Sequence, residues 1–288
     1  MRFAAITISV LAGAATYLTF AQQQDINGNW SLHLSNTAGK LQLSLDRTSG
    51  KHHMSHSRDD VPMSQFIGLS ADQINSSTGS VVRFQIGREA GILECEGYLK
   101  SGGGGGVFHF MANVNYIAAM HSLGYRDLDN EKTFALSLHD VTTTFVRDMQ
   151  ALGYKAATFD QLIAMRIHGI SPEFVRETRA LGLNTNSIDQ LIAMRIHGVS
   201  PEFVRDIKAQ GLEDNSIDKL VAMRIHGVSP DFVRQVRSLG FPKVTTDQLI
   251  AMRIHGVSPE FIQRMSSRGM KELSVDQLVS LKLHGIAN

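Results

Sequence analysis

Cysteine is almost missing. Cys95 is the single one in 288 residues, which excludes an internal disulfide framework and any multi-cysteine metal site. It falls in an alternating apolar run, the setting of a buried free thiol rather than a reactive one. An excess of charge is missing too. Lys and Arg number 28 against 27 Asp and Glu, a formal net charge of +1, so no general attraction draws the chain to nucleic acid or anionic lipid. Beyond residue 20 no run is apolar enough to cross a bilayer. The patterns His-Glu-x-x-His and Gly-x-Ser-x-Gly are absent, and no Lys-Ser/Thr follows the glycines Gly102–Gly106 to make a phosphate loop. The chain reads as a non-enzyme with no catalytic residue, metal or cofactor.

What is present is an apolar fraction of 43% with 19% charged residues, the balance of a packed protein. At roughly 150 residues per domain the length suggests about two domains. Met1-Arg2, the apolar run Phe3 to Phe20, and Ala21 before Gln22 have the form of a secretory signal peptide. Residues 1–21 are expected to be removed, with Thr19 and Ala21 at the cleavage positions and an uncleaved anchor as the alternative. Export to the periplasm or the medium follows.

Residues 22–111 carry the period-two alternation of half-buried strands: Leu41, Leu43, Leu45; Val82, Phe84, Ile86; Leu93, Cys95, Leu99; Phe108, Phe110. Glycines at Gly87–Gly91 and Gly102–Gly106 read as turns, the second as a hairpin tip. The expected assembly is a small antiparallel meander, a sandwich or an open barrel. His52, His53 and His56, near Asp59 and Asp60, invite a metal reading. The favoured reading is a solvated loop between strands, given the polar residues around them. Ser70-Ala-Asp-Gln73 has the spacing of a capping box and predicts one short helix.

From residue 112 to 288 the pattern turns helical and repeats. His168, His197, His226, His255 and His284 stand 29 residues apart, the signature of a stacked repeat. In each unit Ser187 and its equivalents N-cap a first helix, which Gly198 ends. Ser200-Pro201 opens a second helix that Gly211 closes. The frame extends upstream to about residue 113, giving six helices of each kind, with degenerate units at the two ends. The fold class is thus α+β, an antiparallel β domain followed by an α-solenoid. Leu191, Ile192, Met194 and Ile196 are expected to form its core. Phe203, Val204 and Ile207 form the buried stripe of a surface helix.

Candidate partner-binding residues are the polar positions of both helices: Gln161, His168, Gln190, His197, Arg205, Lys208, His226, Arg234, Gln248 and His255. The column Arg166, Arg195, Arg224 and Arg253 falls beside the core positions. It is expected to form ion pairs between repeats, with Glu202 or Asp189 as partners and an exposed anion-binding row as the alternative. The histidine column suits the negative end of each helix. One imidazole per layer, layers roughly 10 Å apart, cannot meet the ~2 Å reach of a metal.

Gly28-Asn29-Trp30, Leu41-Gln-Leu-Ser-Leu45, Val82-Arg83-Phe84, Arg88-Glu-Ala-Gly91 and Phe108-His-Phe110, followed by His-Gly-Val-Ser-Pro-Glu-Phe-Val-Arg repeats, carry a resemblance. The chain resembles the extracytoplasmic C-terminal region of bacterial membrane zinc peptidases of the beta-lactam-sensor, antirepressor type. The resemblance covers nearly all of residues 22–288 but not the peptidase, whose transmembrane bundle and zinc motif this sequence lacks. It implies an exported sensor or interaction module and no catalysis.

Four functions remain, one of them a purely structural, self-associating solenoid. The first is an exported scaffold that binds a protein or peptide in the cell envelope. The second is a periplasmic sensor whose β domain holds a small envelope-derived molecule. The third is a helix-hairpin-helix-like binder of DNA backbones, suggested by Ile196-His197-Gly198-Val199. Ser200 in place of the second hairpin glycine, and 16 Lys/Arg against 14 Asp/Glu over residues 160–288, argue against it, so no nucleic-acid partner is expected.

Overall fold

A computed structural model describes residues 26–49, 52–212, 216–270 and 272–285; the leader and its cleavage site lie outside them. The protein is a mixed α+β structure, with a six-stranded antiparallel sheet followed by short helices. The strands are β1 (Ile26–Leu34), β2 (Lys40–Ser49), β3 (His52–Pro62), β4 (Ser80–Arg88), β5 (Gly91–Lys100) and β6 (Gly103–Ala112), in the order β3-β2-β1-β6-β5-β4. Two three-stranded meanders are therefore joined where β1 pairs with β6. Between them runs a connection carrying the short helix α1 (Ala71–Asn75), opened by the expected Ser70–Gln73 capping box.

The strands form one sheet, not the two facing sheets of a sandwich. Its apolar face is covered by its own curl and by helices: Ile74 of α1 and Phe134 and Leu138 of α3 (Asn130–Leu138) are buried in the same cluster as Trp30, Leu43 and Phe84.

The glycine run is not a hairpin tip. Gly103–Gly106 lie inside β6, paired on both sides, and only Ser101-Gly102 turn the chain. A Cβ on Gly104 or Gly106 would strike the Tyr98 or Glu96 carbonyl oxygen of β5, and paired with Gly106 on the other side is Trp30. A Cβ on Gly97 would stand 2.7 Å from its indole. With Gly97 and Gly106 bare, the ring crosses two strands, donates from Nε1 to the Glu96 carbonyl at 3.1 Å, and meets Phe84 edge-on at 5.0 Å. Residues that look like flexible punctuation are instead bare strand positions where neighbouring backbone approaches closely.

The stretch read as a loop around His53 and His56 is also strand. β3 pairs along β2 from Ser49↔His52 to Lys40↔Pro62 and forms a sheet edge, where polar and charged side chains are the rule.

Twelve helices follow the sheet among the described residues, each nine residues long: α2 (Val114–Ser122), α3, α4 (Thr143–Ala151), α5 (Phe159–Ile167), α6 (Pro172–Ala180), α7 (Ile188–Ile196), α8 (Pro201–Ala209), α9 (Ile217–Ile225), α10 (Pro230–Ser238), α11 (Thr246–Ile254), α12 (Pro259–Ser267) and α13 (Val275–Leu283). Odd-numbered helices from α3 lie against one another in succession, and so do the even-numbered ones from α2. Helices this short need tertiary packing to persist. Leu191 and Met194 of α7, Phe203 and Val204 of α8 and their counterparts supply it in one continuous cluster.

Each odd-numbered helix from α5 to α11 ends in the same way. In α7 the amide of Gly198, at φ +70°, bonds the Arg195 carbonyl, and Val199 N–H bonds the Met194 carbonyl at 2.7 Å.

Candidate functional site

The outer face of the odd-numbered helices is the most distinctive surface. Along α7, Asp189, Ile192, Ala193 and Ile196 are three or four residues apart and share one side. The opposite side carries Leu191 and Met194, both fully buried. Repetition turns this stripe into rows. Asp160, Asp189, Asp218, Asp247 and Asp276 form an exposed acidic row near the helix N-termini. Ile163, Ile192, Val221, Ile250 and Val279 form a half-buried apolar row. Ile167, Ile196, Ile225, Ile254 and Leu283 form the last row, exposed at 57%, 57%, 54%, 52% and 62%.

Ile196 and its equivalents were expected in the core. They are outside because the last helical residue has turned back to the side of Asp189, seven positions earlier and nearly two turns away. Single exposed apolar residues are ordinary. Five in register, backed by a second apolar row, are not.

The expected partner-binding residues divide between two layers and several tasks. His168, His197, His226 and His255 border the exposed isoleucine row. Gln161 and Gln248 are occupied in capping boxes, accepting from the amides of Thr158 and Thr245 at 3.0 and 3.1 Å. Gln190 donates to Asp218 of the next unit at 3.1 Å. Arg205 and Arg234 are exposed on the even-numbered helices, where Arg234 pairs with Asp231. Lys208 reaches back to the Leu181 carbonyl. These residues do not converge on one patch.

The arginine column takes partners other than the carboxylates expected. Arg195 Nε donates to the His168 carbonyl at 2.9 Å, and its guanidinium lies 5.1 Å over the Phe174 ring. Arg224 and Arg253 repeat this with His197 and Phe203, and with His226 and Phe232. A cation there meets the carbonyl-rich, negative end of the preceding helix and an aromatic face. Arg166 alone in the column has an ion pair among the described contacts, with Asp140 at 3.0 Å. Asp140, at φ +52°, stands where the other units have glycine. The even-numbered layer uses the same device: Gln150, Lys208 and Arg237 each bond a carbonyl 27 residues back.

A polar junction joins sheet and helices. Arg47 of β2 grips Glu131 of α3 with two hydrogen bonds, and Glu89 accepts from Thr143 N–H at 3.0 Å. His56 and His139 meet edge-to-face at 5.0 Å, with the buried His56 Nε2 unpartnered. Burial, then the neighbouring His56 and Arg58, push the His139 pKa down to about 4. Burial and Arg58 lower that of His56. His53, three residues from His56, points away to Asp46 at 3.9 Å, so these two do not share a site. No group of three or more His, Cys, Asp or Glu suited to a metal occurs among the described residues. Burial raises the Cys95 thiol pKa to about 12.

The outer face of the sheet holds a shallow cavity of about 1170 Å³, lined by Asn27, Asn29, Arg83, Gln85, Glu94 and His109 among others. Its side chains are tied across strands: His109 Nδ1 to Asn27 at 2.6 Å, and Gln85 to Glu94 at 2.9 Å.

Fold and surface together define a mixed α+β protein with a repetitive apolar helical face. Compared with known proteins, the chain matches no family and no curated sequence.

Proposed function

We propose that the helices form an α-solenoid of 29-residue units acting as an exported, non-enzymatic protein-interaction scaffold, with the curled sheet closing one end. The observation that carries this reading is the exposed isoleucine row, since a soluble surface rarely keeps five aligned large apolar side chains without covering them. The regular carbonyl capping supports it as well, because a rigid stack presents such a row in fixed spacing.

The test is crosslinking in producing cells from a photoreactive residue at Ile225, after fractionation and N-terminal sequencing. Adducts that vanish with Ile196→Asp plus Ile254→Asp, and persist with Arg205→Glu, are expected. Adducts indifferent to the isoleucine row would overturn the reading.

A second reading, a small-molecule sensor, rests on the sheet cavity. A thermal shift with a cell-wall fragment, lost on Gln85→Leu with His109→Leu, would favour it. No shift from any such fragment would count against it.

A further inference from the structure

The outer face of the odd-numbered helices carries charge of both signs, on opposite sides of its apolar rows. The N-terminal rim is the aspartate row. Asp160, Asp189 and Asp276 are exposed there, with no hydrogen bond or ion pair among the described residues. Asp218 and Asp247 each take a partner from the preceding unit, Gln190 and Lys219. The C-terminal rim is basic: Arg195, Arg224 and Arg253 are exposed, Arg166 and Lys282 are half-buried, and histidines stand beside them. The described contacts of the three exposed arginines run through Nε and the face of an aromatic ring. None of the three meets a carboxylate among the described residues. Each helix alone has a reason for this polarity, since its dipole favours an anion at the start and a cation at the end. What the dipole does not explain is the pair of apolar rows left uncovered between the rims.

A surface ordered acidic, apolar, basic is complementary to itself about one axis. A two-fold axis along the rows reverses the helix direction and keeps the rung. Helix α7 then meets the same helix of a second copy antiparallel, with Asp189 against Arg195 and His197, and with Ile192 and Ala193 near the axis. A two-fold axis across the rows keeps the helix direction instead, and lays aspartates over aspartates and arginines over arginines. The rungs match in spacing without adjustment, because both surfaces have the same repeat. The area is sufficient as well. Five helices of nine residues, roughly 10 Å apart, give a face of about 50 by 13 Å. That is roughly 1,300 Å² for two copies, at the lower end of the ~1,200–2,000 Å² of specific interfaces.

We propose that the outer face of the odd-numbered helices is a homodimer interface, in which two copies lie side by side about a two-fold axis along the rows. The isoleucine rows of the two copies cover one another, and the aspartate rim of each follows the basic rim of the other. The two stacks run parallel, with both sheets at the same end. This rests on the scaffold reading above and names a second copy of the chain as the partner.

The experiment is sedimentation velocity of the full chain from roughly 1 to 100 μM. A species of twice the chain mass grows with concentration. Ile196→Asp with Ile225→Asp weakens the dimer by about tenfold or more, while Arg205→Glu on the other layer leaves it unchanged. Two charge reversals identify the axis. Asp189→Lys with Asp218→Lys makes both rims basic, and His197→Glu with His226→Glu turns the basic rim toward acidic. Each variant alone associates severalfold more weakly than the native chain. An equal mixture of the two recovers, because the lysines of one copy face the glutamates of the other while the remaining rims keep their native pairing. An axis across the rows gives no weakening of either variant alone. All these exchanges are at exposed positions, and an unchanged melting curve confirms the fold. A monomer over the whole range, a dimer indifferent to the isoleucine exchanges, or a mixture that associates no better than its components overturns the proposal. A chain that is monomeric in solution, with adducts from Ile225 that depend on the isoleucine row and contain a different protein, sinks this proposal and leaves the scaffold standing.

Discussion

Gly198 does two jobs, and its backbone conformation alone would select glycine. Its φ of +70° is strained for an L-residue, and a Cβ there would stand 2.8 Å from Arg224 Nη2. Gly153 has a φ of +100° and nothing within 4 Å of its Cβ position. Gly198→Ala therefore displaces the arginine that caps the preceding helix as well as straining the backbone. It is expected to cost about 1–3 kcal/mol, more than Gly153→Ala, by urea denaturation of both. His139 makes a second prediction. Its folded-state pKa is about 4, below the ordinary 6.5, so the unfolded chain takes up this proton first as pH falls. The contribution is fully present above pH 6.5, shrinks between 6.5 and about 4, and does not change further below that. His56 moves in the same direction. The urea midpoint is expected to drop on acidification through this window, and His139→Gln to remove part of the drop. An unaltered slope in the variant would refute the assignment.

The helices from α5 onward were legible in the sequence because their caps are local. Ser200 accepting from Phe203 N–H and Pro201 at the first position need no tertiary partner to be recognised. What the sequence concealed were long-range choices. Ile196 is a different case: its place seven positions after Asp189 was readable from helical periodicity, and its apolar character was followed instead. The glycines of β6 looked like a turn because the strand they pair with, β1, lies 70 or more residues earlier. Arg195 looked destined for a carboxylate because a backbone carbonyl leaves no mark in a sequence. The inside-outside difference within α7 is measurable. Leu191, fully buried, should lose about 2–5 kcal/mol on change to Ala. Ile196, at 57% exposure, should lose well under that despite having the same number of side-chain carbons. Equal losses in thermal melts would mean the rows are assigned to the wrong sides.

Sheet and helices share α3. Phe134 and Leu138 are buried with the strands, while Leu136 joins the helical cluster. Arg47, its side chain 8% exposed, holds Glu131 at the same seam. Cutting that tie with Glu131→Ala leaves a buried guanidinium without its carboxylate, a loss of about 1–3 kcal/mol after allowing for the partly exposed glutamate. The expected sign is separation of Trp30 fluorescence, which reports the sheet, from helical circular dichroism during unfolding. Coincident curves in the variant would show that α3 packing alone couples the two.

The backward reach of Arg195, Arg224 and Arg253 has a further consequence, at the level of the gene. Because these units grip the one before them through the same atoms, the length of the array is separable from the design of its joints. Excising residues 198–226 joins His197 to Gly227 and restores His-Gly-Val-Ser-Pro across the seam, with Arg253 now facing the His197 carbonyl. Such a chain loses one rung of each row and the Lys219–Asp247 pair, and keeps the carbonyl caps and the apolar rows. Unequal crossover between neighbouring repeats would thus lengthen or shorten the surface in whole steps, so its reach can evolve without redesigning its fold.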